Sequence, residues 1–422
     1  MQSPFLCIEK EKRMQKRKDH KGRVLKDGET YRKNDGLYMY RWTGGDKKRH
    51  TVYCSTLEGL REKEKEIQND LRDGIQQGSS NITLNDVYKM WKNDKVGLKQ
   101  TTRNNYIYMY EHFVMNDFGN RKIKEIRKSD VRRYYNGIVD SKKMSVATLE
   151  SIHTVLHQVF ILAVEDGYIR INPSDLVLGD VKRSHNFETP KRHALTIPQQ
   201  EAFVSYINKS EKYNHWLPLF TFFLGTGCRV SEVVGLRWED VHMDENYIEI
   251  NHNMVYYQRD KGKCYFSVTS PKTTAGYRII PMLPEVKQAL LNEKKYQEEV
   301  GLTCQASIDG YTDFIFLNRN GFAHNPQTIN RTIKRITLAY NEEEIERAER
   351  ERRAPVLLPN FSCHNLRHTF ATRYCENETN LKVIQEIMGH KDIATTMEIY
   401  AEATKEAKVK SFEDLCGKIK IS

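Results

Sequence analysis

Apolar and polar residues repeat at two different periods along this chain, and the places where the period changes divide it into three segments. The first segment carries short runs of aromatic and β-branched residues, "ETYRK", "LYMYRW" and "HTVYCS", separated by the turn material "NDG" and "TGGDKK". They predict a small three-stranded antiparallel sheet. In the next stretch, "STLEGLREKEKEIQNDLRDGI", Leu57, Leu60, Ile67 and Leu71 fall on one helical stripe behind a capping box formed by Ser55 and Glu58. That helix is expected to cover one face of the sheet and leave the other, basic and aromatic, exposed.

Residues 74–81, "GIQQGSSN", have the composition of a linker, and helical periodicity then runs to about residue 172. Thr83 and Asp86 cap a helix bearing Leu84, Val87, Tyr88 and Trp91; Tyr106, Tyr110, Phe113 and Val114 share a second stripe. Ser129 opens a third helix with Val131, Tyr134, Tyr135 and Ile138, and Ser145 a fourth with Val146, Leu149, Ile152, Leu156, Val159 and Phe160. Asp166-Gly167 and Asn172-Pro173 end the run, and "GDVKRSHNFETPKRH", 179–193, has no apolar period and reads as a connector.

Beyond it, "TIPQQEAFVSYI", "WLPLFTFFLGTG", "SEVVGLRWEDV", "PEVKQALLNEKKYQEEV" and "PQTINRTIKRITLAY" predict helices, while "YIEI", "CYFSVTS", "YRIIPM" and "DFIFL" predict strands. The mixed-charge run at 341–354 reads as a solvated helical face. The fold class is therefore multidomain: a small β-sheet plus helix over residues 1–75, an all-α four-helix domain over 82–180, an α+β, mainly helical domain over 190–410, and a tail at 405–422.

Charge changes this picture by suggesting a partner. The 422 residues include 67 Lys and Arg against 56 Asp and Glu, a formal charge of +11, and such an excess favours a polyanion such as nucleic acid. A small sheet can enter the DNA major groove, which makes the exposed face of the N-terminal sheet a candidate reader of duplex DNA. The candidates for DNA contact are Lys21, Arg23, Lys26, Tyr40, Lys47, Lys48 and Arg49 there, with Lys99, Arg103, Lys142 and Lys143 in the helical domain. The eight cysteines contain no C-x-x-C pair, which argues against a zinc knuckle or a disulfide framework. With no run of eighteen apolar residues and no signal-peptide core, the chain reads as a soluble intracellular protein.

Four short motifs could carry chemistry. In "CHNLRHTFATRY", His364 and Arg367 lie three apart on one helical face behind Ser362, a candidate N-cap, so both could touch one phosphate. "GTGCRVSEVVGL" holds Arg229 between a glycine-rich turn and a helix that Ser231 is expected to cap. "SVTSPKTTAGYRIIPM" reads as a hairpin with Lys272 at its tip, and "MGHKDIATTMEIY" places His390 after a helix-ending glycine and Tyr400 ten residues on. Each fragment alone also fits a surface lysine, a capping histidine or a packed tyrosine.

Taken in order, Arg229, Lys272, His364, Arg367, His390 and Tyr400 resemble the tyrosine recombinase (phage integrase) family, whose pattern runs Arg, Lys, His-x-x-Arg, His, Tyr. The resemblance covers about residues 80–410, with departures near 292–312 and 340–358 that touch none of the six. The N-terminal segment is similar, more weakly, to the arm-binding domains of conjugative transposon integrases. It implies that residues 82–180 are a core-site DNA-binding domain and 190–410 a catalytic domain of the DNA breaking-rejoining type. It further implies a covalent 3′-phosphotyrosine intermediate with Tyr400 as nucleophile and Lys272 as general acid, no metal and no ATP, and action on double-stranded DNA in integration and excision of a mobile element. A homotetramer on DNA, an excisionase, a host DNA-bending protein, a bacterial cytoplasmic, nucleoid-associated location and no membrane complete the expectation. A type IB topoisomerase would use a similar residue set to relax one duplex, and a non-catalytic DNA-binding regulator would use only the basic modules.

Overall fold

The computed structural model describes residues 17–44, 47–76, 81–187, 193–260, 263–271, 273–378 and 380–401. The chain divides into two units, Met1–Thr189 and Pro190–Ser422.

The N-terminal alternation produces the expected antiparallel sheet, β1 (Glu29–Tyr31), β2 (Tyr38–Thr43) and β3 (Arg49–Cys54), in the order β1-β2-β3. Side chains two apart share a face, so Tyr38, Tyr40 and Trp42 turn together toward helix α1 (Leu57–Arg72), packing with Leu25, Leu57 and Leu60. Arg41, Arg49, Thr51 and Tyr53 lie exposed on the opposite face. The helix begins one residue later than expected: Thr56, not Ser55, is the N-cap, accepting from the Gly59 N–H at 3.2 Å. Residues 74–76 are docked rather than free. Ile75 is buried, the Gln76 N–H donates to the Gly167 carbonyl, and Arg170 holds Asp70 and Asp73 at 2.6 and 3.1 Å.

Five helices, not four, follow among the described residues of this unit: α2 (Leu84–Asp94), α3 (Gln100–Met109), α4 (Lys128–Lys142), α5 (Val146–Glu165) and α6 (Val177–Ser184). The Thr83–Asp86 capping box and the Ser145 cap form as expected, and a π-helical turn, Tyr110–Val114, brings Tyr110 to stack on Tyr88 with ring centroids 3.7 Å apart. At α4 the N-cap is Arg127, whose N–H donates to Asp130, so Ser129 lies inside the first turn. The sixth helix occupies part of the stretch expected to be a connector. Val177 and Val181, four apart, bury against the bundle, a stripe too short for periodicity to reveal. Helix α5 is long and apolar enough to cross a membrane by length and composition, yet Leu149, Ile152, Val155, Leu156, Val159 and Phe160 form the bundle core.

The second unit is built from α7 (Ile197–Lys209), α8 (Leu217–Thr226), α9 (Val230–Val233), β4 (Val241–His242), β5 (Tyr247–Ile250), β6 (Asn253–Asp260), β7 (Lys263–Thr269), β8 (Arg278–Pro281), α10 (Pro284–Val300), α11 (Pro326–Glu351), α12 (Cys363–Asn377), α13 (Leu381–Met388) and α14 (393–401). Phe203, Phe220, Phe222 and Phe223 pack with Ile329, Ile333, Ile336 and Leu366 in its core. The strands form two small sheets, β4-β5-β8 and β6-β7. Sequence reading paired β7 with β8 across Lys272. They belong to different sheets, because Asn253–Asp260 supplies an unforeseen partner for β7 and β8 pairs with β5. "DFIFL" forms no strand, only isolated bridges of Phe314 with Arg237 and Leu317 with Ala323. The mixed-charge run continues α11 and is not wholly solvated: buried Glu344 accepts from Arg347, from Arg353 at 2.5 Å and from the Val356 N–H at 3.0 Å.

Candidate active site

Helix α8 ends at Gly227, in the left-handed conformation at φ +61°, where a Cβ would lie 2.3 Å from the Phe370 ring. Only glycine suits both demands. The chain then turns into α9, and Arg229 itself is the N-cap: its N–H donates to Glu232 Oε2 at 2.8 Å. Ser231, expected as the cap, instead bonds Asn253. At α12 the expected Ser362 cap forms, its N–H donating to Asn365. One turn later Arg367 is 4% exposed and points inward.

The last carbonyls of a helix have no partner within it and carry the negative end of its dipole. At the end of α13 three successive carbonyls are each taken by a different arginine: Ile387 by Arg278 at 2.8 Å, Met388 by Arg367 at 2.6 Å and Gly389 by Arg229 at 2.7 Å. Arg367 also donates to the Gly227 carbonyl at 2.7 Å, tying the α8 turn to the α13 turn. Glu232 completes the centre. It accepts from Arg229 at 2.8 Å and from both terminal nitrogens of Arg278, at 3.0 and 2.8 Å.

Sequence reasoning found Arg229 and Arg367 but missed Glu232 and Arg278. The signal for Glu232 was its place three residues after Arg229, the offset of a cap and its partner. Arg278 had none, since it comes from the strand after an unpredictable loop.

Three guanidinium groups gather around one carboxylate here, and burial acts on Glu232, Arg278 and Arg367. Burial would raise the Glu232 carboxyl, but the Arg278 fork and Arg229 outweigh it and bring its pKa to about 2. Burial, with Arg229 nearby, lowers Arg367 to about 9, still protonated at neutral pH. Burial and the positive field of Arg367, Arg229 and Arg278 lower His390 to about 4. His390 is therefore neutral at pH 7, its Nδ1 2.9 Å from the Thr396 hydroxyl. Three guanidinium groups against one carboxylate give the centre a net positive charge, a polarity that attracts phosphate.

His364 is exposed on the same helix as Arg367 and contributes to the field at His390. Tyr400, on α14, is partly buried and packs beside Ile399 against Ala371, Cys375, Ile384 and Met388. Met397, on the same helix, is 52% exposed. Lys272 lies outside the described residues, as does the tail at 405–422; the neighbouring Pro271 packs against Gly276.

Of the proposed DNA contacts, Tyr40 is a correction. It is 5% exposed, faces α1 and accepts from Gln68 at 2.7 Å, because strand alternation puts it on the covered side. Arg23 commits its guanidinium to Asp19, Glu58 and Tyr38. Lys21, Lys26, Lys47, Lys48 and Arg49 are exposed on the sheet domain. Lys99 and Lys143 are exposed at helix ends, Lys142 lies 4.8 Å from the Phe113 ring centre, and Arg103 donates to the Lys92 carbonyl. A cavity of about 990 Å³ between α8, α10 and α11 is lined by none of the six motif residues. Its buried Glu293 is pushed up by burial to about 7.

Three regions match models of known families: residues 13–71 the DNA binding domain of Tn916 integrase, 83–139 the N-terminal SAM-like domain of phage integrases, and 194–407 the phage integrase family. Over 417 residues the chain is 30% identical to the transposase from transposon Tn1545 of Streptococcus agalactiae, covering 95% of this chain and 97% of that protein. It is 29% identical, with the same coverage, to the transposase from transposon Tn916 of Enterococcus faecalis. Among solved structures, the Tn1549 transposon integrase in complex with transposon right end DNA matches at TM-score 0.67 and 28% identity, covering 79% of this chain and 100% of that one.

Proposed function

The chain belongs to the phage integrase family of tyrosine recombinases, and from that premise we propose how its residues cut and rejoin DNA. It is a site-specific DNA strand transferase acting in integration and excision of a transposon. The observation that carries the residue assignment is the meeting of Arg229, Arg367 and His390 at the α13 turn.

Arg229 and Arg367 bind the non-bridging oxygens of the scissile phosphate, each with N–H donors beyond those given to carbonyls. A tyrosine hydroxyl of pKa about 10 is ionised about one time in a thousand at pH 7, a deficit of roughly 4 kcal/mol. The cationic centre and a histidine proton acceptor offset it. The Tyr400 oxygen forms a bond to phosphorus, the bond from phosphorus to the 5′ oxygen breaks, and Lys272 protonates that leaving oxygen. Attack by another strand's 5′ hydroxyl on the 3′-phosphotyrosine reverses these steps and joins new partners. The phosphodiester is stored in the covalent intermediate, so the scheme uses neither ATP nor a metal. A preorganised donor is typically worth about 3 kcal/mol in the transition state, and several acting together, though not additively, supply much of the barrier reduction.

The helical domain and the second unit bind the core site, and the open face of the N-terminal sheet reads a separate arm site; the match to the DNA binding domain of Tn916 integrase supports this division. Work on two duplexes calls for a tetramer, and an excisionase and host DNA-bending protein set direction. The setting is the bacterial cytoplasm at the nucleoid. The test is a nicked suicide duplex carrying the element's end. A denaturation-resistant protein–DNA adduct that maps to Tyr400 is expected. Undiminished adduct from Tyr400→Phe overturns the assignment.

A further inference from the structure

We propose that Arg278 is a positioning residue for strand cleavage, fixing through Glu232 the aim of Arg229 and, through the Ile387 carbonyl, the seat of the turn that carries His390 toward Tyr400. The inference rests on Arg229 being a phosphate ligand.

Arg278 is more deeply buried than its purpose as a charge would require. Its side chain is 4% exposed and that of Glu232 2%, whereas the Arg229 side chain is 37% exposed. The buried pair is therefore the anchor and Arg229 the group left facing outward. The fork from Arg278 fixes the Glu232 carboxylate in one plane. That carboxylate in turn holds both the backbone N–H and a guanidinium nitrogen of Arg229. The third nitrogen of Arg278, Nε, reaches the Ile387 carbonyl, and the chain of bonds closes where Arg229 meets the Gly389 carbonyl. Packing reinforces the closure: a Cβ on Gly389 would sit 2.9 Å from the Ala275 carbonyl and 3.0 Å from Arg278 Nη1. The 275–278 segment, three residues beyond Lys272, is thus seated against the His390 turn. One residue joins the strand after the lysine loop, the phosphate-binding arginine and the turn before the nucleophile.

The groups facing Glu232 are Cys228 and Arg229 beside it, Arg278 from β8 and Arg367 from α12. Removing Arg278 leaves burial to act on the carboxyl with less opposition, so Glu232 protonates at higher pH and lets go of Arg229. Loss of aim by an ångström can cost about a hundredfold in rate.

The test is single-turnover adduct formation on the nicked suicide duplex by the full chain, as a function of pH. Arg278→Ala is expected to lower the rate about a hundredfold and to add an acid limb, the rate falling as pH drops through about 7 to 5, where the unsubstituted protein is level. Arg278→Lys keeps a cation beside Glu232 but cannot hold carboxylate and carbonyl in one fork; it is expected to restore the level profile at a rate about tenfold reduced. A merely structural role would lower the active fraction without reshaping the pH profile. If both variants keep the rate and profile of the unsubstituted protein, or if Arg278→Ala loses rate at every pH alike, the inference is overturned. Should the unsubstituted protein form no adduct at all, the reading of the function fails, and this inference with it.

Discussion

On the open face of the β1-β2-β3 sheet, Arg41 and Arg49 stand in solvent, whereas in the second unit Arg278 and Arg367 are buried and spend donors on carbonyls and on Glu232. Both sets suit a phosphate backbone, but they do so by different physics. An exposed guanidinium neutralises a phosphate, releases a counterion and is screened by salt, so such residues contribute in rough proportion to their number. A buried one has already lost its water and its rotamer freedom, so its donors are aimed before the DNA arrives. The first arrangement supplies affinity. On the proposed mechanism the second supplies rate, and the folded state then depends on the same side chains that act on the substrate.

The largest effect should come from the buried set. Arg367→Ala leaves the Gly227 and Met388 carbonyls without their donor, and cleavage of the suicide duplex is expected to fall by about a thousandfold. Stability should fall too, by about 2–3 kcal/mol in a urea titration. Loss of rate with full stability would mean that the carbonyl bonds hold nothing together.

Next comes the acid sensitivity of the same centre. His390 titrates near 4 in the folded chain because burial and three arginines oppose its charge, against about 6.5 when unfolded. The unfolded state therefore binds more protons in this window. The contribution of His390 to stability is fully present above about pH 6.5 and is lost as pH falls toward 4, on the order of 3 kcal/mol. His390→Gln should flatten that part of the pH–stability curve; an unchanged slope would place the proton uptake elsewhere.

Smaller changes are expected in the sheet. Arg41→Ala with Arg49→Ala should weaken DNA binding by about tenfold at low salt and reduce the salt slope by about 0.9 per lost phosphate contact. The rate of cleavage once bound should not move. Smallest of all, Tyr40→Phe removes the bond from Gln68 and should cost about 1 kcal/mol of stability, with arm-site affinity unaltered. A loss of affinity there would restore Tyr40 to the DNA contacts.

How far the sequence could be read depends on the range of the interaction concerned. Thr83 with Asp86, Ser145, Ser362 and the helix-ending Gly389 were legible because a cap and its partner lie within four residues. The caps at Thr56, Arg127 and Arg229 were misjudged by one or two positions, since Ser, Thr and acidic residues crowd those turns and only backbone geometry chooses among them. Strand partners failed for a different reason. β7 and β8 flank one loop yet join different sheets, and nothing local distinguishes a hairpin from two strands that part.

The order Arg, Lys, His-x-x-Arg, His, Tyr was enough to name the chemistry, because reaction type is set by which functional groups are present, and these stand in the chain as letters. Their convergence was not. Gly227, Glu232, Arg278 and Ile387 are spread over 160 residues, from Gly227 to Ile387, and meet only through bonds from one element's side chain to another's backbone or carboxylate. Pairing of that kind has no sequence period. It arises because the unpaired carbonyls at the end of α13 must find donors once they are buried, and folding brings three arginines to satisfy them.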